Sequence, residues 1–344
     1  MFRKVRRMSL LAMGIITCLW MDAENTFAQE SFYKGKTIRL IVGLAPGGGF
    51  DTYSRVIARH IGKHIPGNPT TVVDNMPGAA GLVAANFIYR VARPDGLTIG
   101  NFVGGLNLQQ LLGLPGVEFE GAKFEYLGVP AQDNFMIGVS KTTGITSVEQ
   151  WKVSGTVIKI GGVAPGGGTD DIPKVLKATL GLPLQLVSGY KGTGPVRLAF
   201  NSGEVQGICN SWESFKATWR NELEKGEVVI LLQASLKPHP ELPNVPWAYE
   251  LAKTADAKKM IQALALVDGA TNRPYMLPPN TPKDRVKILR KAFMDTMKDP
   301  EFLTDTNKAK LDIDPLDGEE VEKQIKALFK LEPGLVKQLK EVLK

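Results

Sequence analysis

Ala45-Pro46-Gly47-Gly48-Gly49-Phe50-Asp51 returns 119 residues later as Ala164-Pro165-Gly166-Gly167-Gly168-Thr169-Asp170, identical at six of seven positions. Each copy follows a short apolar run, Thr37–Leu44 (TIRLIVGL) in the first and Val157–Val163 (VIKIGGV) in the second. Runs of that length ending in glycine and proline read as buried strands. Each copy also opens a helical pattern. In the first, Tyr53, Val56, Ile57 and Ile61 share one face, while Arg55, Arg59 and Lys63 line another at four-residue spacing. In the second, Thr169 is placed as an N-cap, Asp170 and Asp171 fall in the first turn, and Pro173 reads as an early, permitted proline. Val175, Leu176 and Leu180 give that helix its apolar face.

Strand, glycine loop and helix start together make a device for holding anions. The first amides of a helix have no acceptor within it, and the macrodipole places partial positive charge there. Glycines let a ligand approach the backbone closely. Neither copy is a Walker A loop, since no Gly-Lys-Ser/Thr follows, and neither fits a dinucleotide fingerprint. A plain turn with aspartate caps is the competing reading. Its weakness is that two unrelated turns have no reason to share a sequence. The aspartates can cap their own helices, so backbone amides and Thr169 carry most of the expected ligand contact.

Further strand–loop–helix units flank the repeat. Thr70–Asp74 leads through Asn75–Gly81 (NMPGAAG) to an apolar helix, Leu82–Val91, and Leu97–Phe102 reads as the next strand. In the second half, Leu184–Ser188 leads through Gly189–Pro195 (GYKGTGP) to the helix Val196–Asn201, and Val205–Cys209 follows as a strand. This alternation predicts an α/β architecture with largely parallel sheets. Ligands in such sheets gather at the carboxyl ends of the strands. A chain of 344 residues suits two domains. Tyr126–Ser140 reads as the passage out of the first domain and Glu227–Ala234 as the passage back. The expected division is therefore 29–129 plus 235–344 for domain I and 130–234 for domain II.

Residues 1–28 read as a signal peptide. Arg3, Lys4, Arg6 and Arg7 precede the apolar Ser9–Met21, and a polar stretch ends in Thr26-Phe27-Ala28. About 20 apolar residues are needed to span a bilayer, and this run is shorter. Removing it lowers the formal charge from +7 to about +5 and removes Cys18, leaving Cys209 alone. Two cysteines exclude a disulfide framework and a four-cysteine zinc site. The basic excess is not interleaved with aromatics, so no nucleic-acid partner is expected.

Side-chain chemistry for catalysis is sparse. There are three histidines. His60 and His64 have helical metal spacing but no glutamate partner, and they read as surface or core-edge residues. No G-x-S-x-G elbow exists, and Cys209 has no local nucleophile signature. No enzyme activity, metal or cofactor is expected.

Several of these segments together resemble one family. KTIRLIV, the PGGG-x-D loop, VDNMPGAAG, PDGLTIG, APGGGTDD, SGYKGTGP, NSGEVQG and LPNVP are similar, in this order, to motifs of the Bug-type (TctC) solute receptors of tripartite tricarboxylate transporters. The resemblance covers nearly the whole chain after the leader. Trp247 and the segment Ala270-Thr271-Asn272-Arg273-Pro274 depart from the common pattern. The resemblance implies a two-lobed periplasmic-binding-protein type II fold that closes on an organic carboxylate, a di- or tricarboxylate or an aromatic acid. It implies membrane transporter subunits as partners and a periplasmic location, and a monomer is expected. It carries a carboxylate clamp onto Gly47, Gly48 and Gly49 on one side, and onto Gly166, Gly167, Gly168 and Thr169 on the other. Asp51 in the first loop, and Asn101, Phe102, Gln132, Asp133, Tyr190, Asn210 and Trp212 at predicted strand ends, are the further candidate contacts. An extracytoplasmic sensor for a signalling partner is the alternative role, and a hydrolase-type enzyme a more distant one.

Overall fold

The computed structural model describes residues 32–344, so the expected leader at 1–28 lies outside the described residues. Among the described residues, eleven strands form two sheets. The first contains β1 (Thr37–Val42), β2 (Thr70–Asn75), β3 (Thr98–Asn101), β4 (Glu125–Val129), β10 (Tyr275–Leu277) and β11 (Leu316–Asp317), in the order β11-β4-β10-β3-β1-β2. The second contains β5 (Phe135–Ser140), β6 (Ile158–Gly161), β7 (Leu184–Val187), β8 (Gly207–Ser211) and β9 (Val228–Ala234), in the order β7-β6-β8-β5-β9.

Each sheet is half parallel and half antiparallel. β2-β1-β3 and β7-β6-β8 are the parallel halves. These are the units whose strands alternate with helices in the sequence, as parallel pairing requires a crossover. β10, β4 and β11 complete the first sheet antiparallel, and β5 and β9 complete the second. The two copies of the repeat thus follow equivalent central strands, β1 and β6.

The helix Gly49–Ile61 buries Tyr53, Val56, Ile57 and Ile61, the stripe its sequence predicts, and Phe50 as well. Its basic line is paired: Arg55 with Asp51, Arg59 with Asp305, and Lys63 with Asp299 and Glu301. The helix Gly168–Leu180 differs in detail from expectation. Gly167 is its N-cap and Thr169 its second residue. Pro173 is its sixth residue, past the first turn, where proline removes a main-chain bond back to Thr169.

Two features of the expected division change. Glu227–Ala234 is no passage: β9 pairs along its length with β5 inside the second sheet. The chain then stays with the second lobe. The helix Ala255–Ala270 packs on Gly168–Leu180 and places Ile261, Leu264 and Val267 in that core. The return to the first sheet comes at 271–274, just before β10. The first crossing, between β4 and β5, is at 130–134. The last helix, Pro333–Leu343, reaches back and buries Leu339 and Leu343 in the second core.

The helix Gly168–Leu180 and the segment before 271 also bury acids. Asp171 and Asp268 each leave one oxygen with no hydrogen-bond partner. Burial, countered in part by the Gly166 N–H, pushes the Asp171 carboxyl up to about 7. Burial, reinforced by Asp171 and Asp133, pushes Asp268 well above the carboxylate range. Both groups are ionised in the unfolded chain above about pH 4, so the folded state holds protons that unfolding releases. Their contribution is fully present below pH 4 and is lost as pH rises through neutrality. Stability should therefore fall from pH 5 to pH 8, at up to about 1.4 kcal/mol per pH unit per group. Asp268→Asn should flatten that slope. Urea midpoints at pH 5, 6, 7 and 8 check it, and a flat wild-type profile would refute it.

Candidate ligand-binding site

The repeated loops are built alike. Gly47 and Gly166, at matching positions, both take left-handed backbone angles (φ +83° and +87°), which favour glycine. Each then donates its N–H to a first-turn aspartate at 3.0 Å, Gly47 to Asp51 and Gly166 to Asp171. Gly48 and Gly167 become N-caps without a side-chain cap, so no capping side chain occupies the first helix amides. The lobes meet there. Ala45 N–H donates to Lys191 O at 2.8 Å, and a Cβ on Gly48 would lie 2.8 Å from Thr193 Oγ1 of the second lobe.

A narrow cavity lies between the loops, with about 400 Å³ of space including its open mouth. Leu44, Phe50, Val103, Phe135 and Val163 give it apolar walls. Its polar lining is Thr169, Thr193, Asn210, Ser211, Ser214, Asn272 and Arg273, with no acidic residue among them.

Arg273 dominates the electrostatics. It stands in the second crossing and is 2% exposed. Its Nε donates to Asp133 in the first crossing at 2.9 Å, so the ion pair ties the two crossings together. Nη2 donates to Ser211 and Ser214 hydroxyls at 2.9 and 2.6 Å. The guanidinium lies 4.8 Å from the Phe50 ring centre and 4.9 Å from that of Tyr53. Nη1 is buried with no partner, as is Asn210 Nδ2. Asn272 donates to Asp133 and leaves Oδ1 unpaired. Beside this group, burial and the neighbouring Asp133 push the Glu213 carboxyl up to about 8. Glu213 is therefore largely neutral at pH 7 and leaves Asp133 as the counter-charge to Arg273.

The expected site residues divide sharply. Gly167, Gly168, Thr169 and Asn210 line the cavity. The Thr169 hydroxyl is engaged, accepting from Val163 N–H at 3.1 Å and donating to Asp170 at 2.9 Å. Gly47, Gly48, Gly49 and Gly166 shape the loops without lining the cavity, although Gly49 packs directly on Ser214 and Arg273. Asp51 is a structural cap, not a cavity residue. Burial pushes its carboxyl up, but hydrogen bonds from Arg55, Gly47 and Asn75 outweigh this and hold it below the usual range. Asp133 acts through Arg273. Asn101 is spent on Pro274 O, and Phe102 packs on Phe119 and Phe124. Gln132 bonds Asp314, Tyr190 bonds Glu204, and Trp212 bonds Glu241, all away from the cavity. Reading strand ends missed Arg273, Phe50 and Phe135. The available signal for Arg273 was a lone cation in the mostly apolar stretch 261–277.

The histidines are structural. His60 meets Asp305 at 3.0 Å and His64 meets Asp299 at 2.8 Å. His60, Asp299 and Glu301 come close enough to suggest a cation site, but Lys63 Nζ already sits 2.7 Å from both acids.

No family model matches the chain. It is 24% identical over 310 residues to the UPF0065 protein of the gbd 5′ region in Cupriavidus necator, covering 86% of this chain and 85% of that one. The periplasmic binding protein BugD superposes with a TM-score of 0.74 at 22% identity, over 90% of this chain and 98% of its own. MatC from Rhodopseudomonas palustris, with bound malate, gives 0.68 at 20% identity, over 90% and 99%. The structural neighbours are Bug- and TctC-type periplasmic binding proteins, and the chain has their fold.

Proposed function

We propose that this protein is a periplasmic solute receptor that captures an organic carboxylate between its lobes and presents it to the membrane subunits of a tripartite tricarboxylate transporter. The observation that carries the reading is the pairing of two matched glycine loops, one per sheet, across a buried cavity whose polar lining holds an arginine and no acid. Each helix start contributes about 0.3–1 kcal/mol to an anion, and each charge-assisted hydrogen bond about 1.5–3 kcal/mol. Several such contacts reach the roughly −8 kcal/mol of micromolar binding. Because the contacts come from both lobes, they coexist only in the closed form, and ligand shifts the population toward it. Closure is then the signal a membrane partner reads. The fold neighbours are binding proteins, and MatC holds malate, which supports a carboxylate here. The reading also takes residues 1–28 as the export leader.

A melting screen against mono-, di- and tricarboxylates tests this. A ligand present at about 100 times its Kd should add about 2.7 kcal/mol, a rise of several degrees for a chain of this size. Silence across the whole panel would overturn the proposal.

A further inference from the structure

The cavity holds more specific information than its glycine loops. Arg273 Nη1 and Asn210 Nδ2 are buried donors without partners, on residues that are 2% and 3% exposed. Both residues border the same cavity. Buried donors are rarely left unpaired, and an orphaned cationic N–H is the costlier case. The Nε and Nη2 edges of the guanidinium are fully used by Asp133, Ser211 and Ser214. The two rings against its face, Phe50 and Tyr53, fix its plane. One edge, Nη1, is therefore left without a protein partner on a residue that lines the cavity. We propose that Arg273 is the charged anchor of the site and, with Asn210, receives the carboxylate of a monocarboxylate whose remaining body is apolar.

The charge count selects a single carboxylate. Arg273 and Asp133 cancel. Glu213 adds little, because burial keeps it largely protonated at pH 7. Arg55 offsets Asp51 at the first helix start, and burial raises Asp170 and Asp171 at the second, so the two helix starts supply about half a positive charge each, which one carboxylate balances. A second carboxylate would leave a net negative charge in a cavity whose lining has no other cation, and an unpaired buried charge is strongly unfavourable. The walls agree: Leu44, Val103, Val163, Phe50 and Phe135 offer a second carboxylate no hydrogen bond. Asn272 Oδ1, the unpaired acceptor in the lining, suits a hydroxyl on the ligand body. The inference rests on the carboxylate-receptor reading and narrows it.

The test is calorimetric titration of the purified protein with 2-hydroxybutyrate and with malate, which differ in one methyl against one carboxylate. The wild type should bind 2-hydroxybutyrate about tenfold or more tightly than malate. The neutral pair Arg273→Gln/Asp133→Asn, which leaves no uncompensated acid at the crossing, should lose 2-hydroxybutyrate by about tenfold or more. Asn210→Asp should add a carboxylate to the lining that Arg273 shares. It should raise the ligand-free melting temperature and abolish 2-hydroxybutyrate binding. A merely structural arginine does not predict the preference for 2-hydroxybutyrate over malate. Tighter binding of malate, or unchanged affinity in the Arg273→Gln/Asp133→Asn protein, would overturn the monocarboxylate anchor while leaving a carboxylate receptor in place. If the double variant does not fold, an Asn210→Asp protein that binds 2-hydroxybutyrate normally overturns the anchor. Failure of both acids, together with silence in the wider carboxylate screen, would overturn both proposals.

Discussion

Arg273→Met should cost the fold about 3–5 kcal/mol, the range for breaking a buried ion pair by removing one partner. The side chain is 2% exposed and its partner Asp133 4%. Methionine fills much of the volume but leaves Asp133 with Asn272 as its remaining side-chain donor. It also removes the donor to Ser211 and Ser214 and the cation between Phe50 and Tyr53. Since Arg273 and Asp133 sit in the two crossings, the loss falls on the hinge between the lobes. Adding Asp133→Asn should recover a large part of it, because the pair's cost lies in the uncompensated charge. Chemical denaturation of the single and double variants measures this. A single variant within 1 kcal/mol of wild type would show that the pair does not hold the crossings.

Gly49→Ala should be the most damaging conservative change in the first loop. Its new Cβ would stand 2.2 Å from Ser214 Oγ and 2.8 Å from Arg273 Nη1. Overpacking of this kind costs about 1–3 kcal/mol, and here it displaces the unpartnered guanidinium edge of Arg273. Carboxylate affinity should fall with stability. Gly167→Ala is the control in the second loop. Its nearest neighbours lie 3.5 Å away, ordinary contact, so stability should stay within about 0.5 kcal/mol. Melting curves and titrations of the two variants decide this. Equal effects would mean that the glycines matter for chain freedom alone.

The parallel half of each sheet was readable because β1, β2, β6 and β7 are each followed by a glycine loop and a helix. β9 was not. Glu227–Ala234 is a near-continuous apolar run, and a strand buried on both faces shows no alternation that separates it from a linker. Nor does a local pattern show that 248–270 packs on the second core, since that packing joins segments some 80 residues apart. The loops of the site were readable from their repeat. The side chains were less so, because strand residues alternate faces and proximity to a strand end does not fix direction. Asn101 and Phe102 turn into the first lobe, while Asn210 meets the cavity. Arg273 reaches the site only through tertiary pairing with Asp133, 140 positions earlier.

Clamping between lobes is the central claim, and Gly48→Val addresses it at a residue that does not itself line the cavity. Its side chain would press on Thr193 of the opposite lobe, where even a Cβ comes to 2.8 Å of Oγ1. The decisive measurement is the affinity of this variant for the carboxylate that gives the largest melting shift in the wild type. A clamp predicts a loss of about tenfold or more with the ligand-free melting temperature close to wild type. Wild-type affinity in a folded Gly48→Val protein would contradict the claim that the ligand is held by both lobes at once.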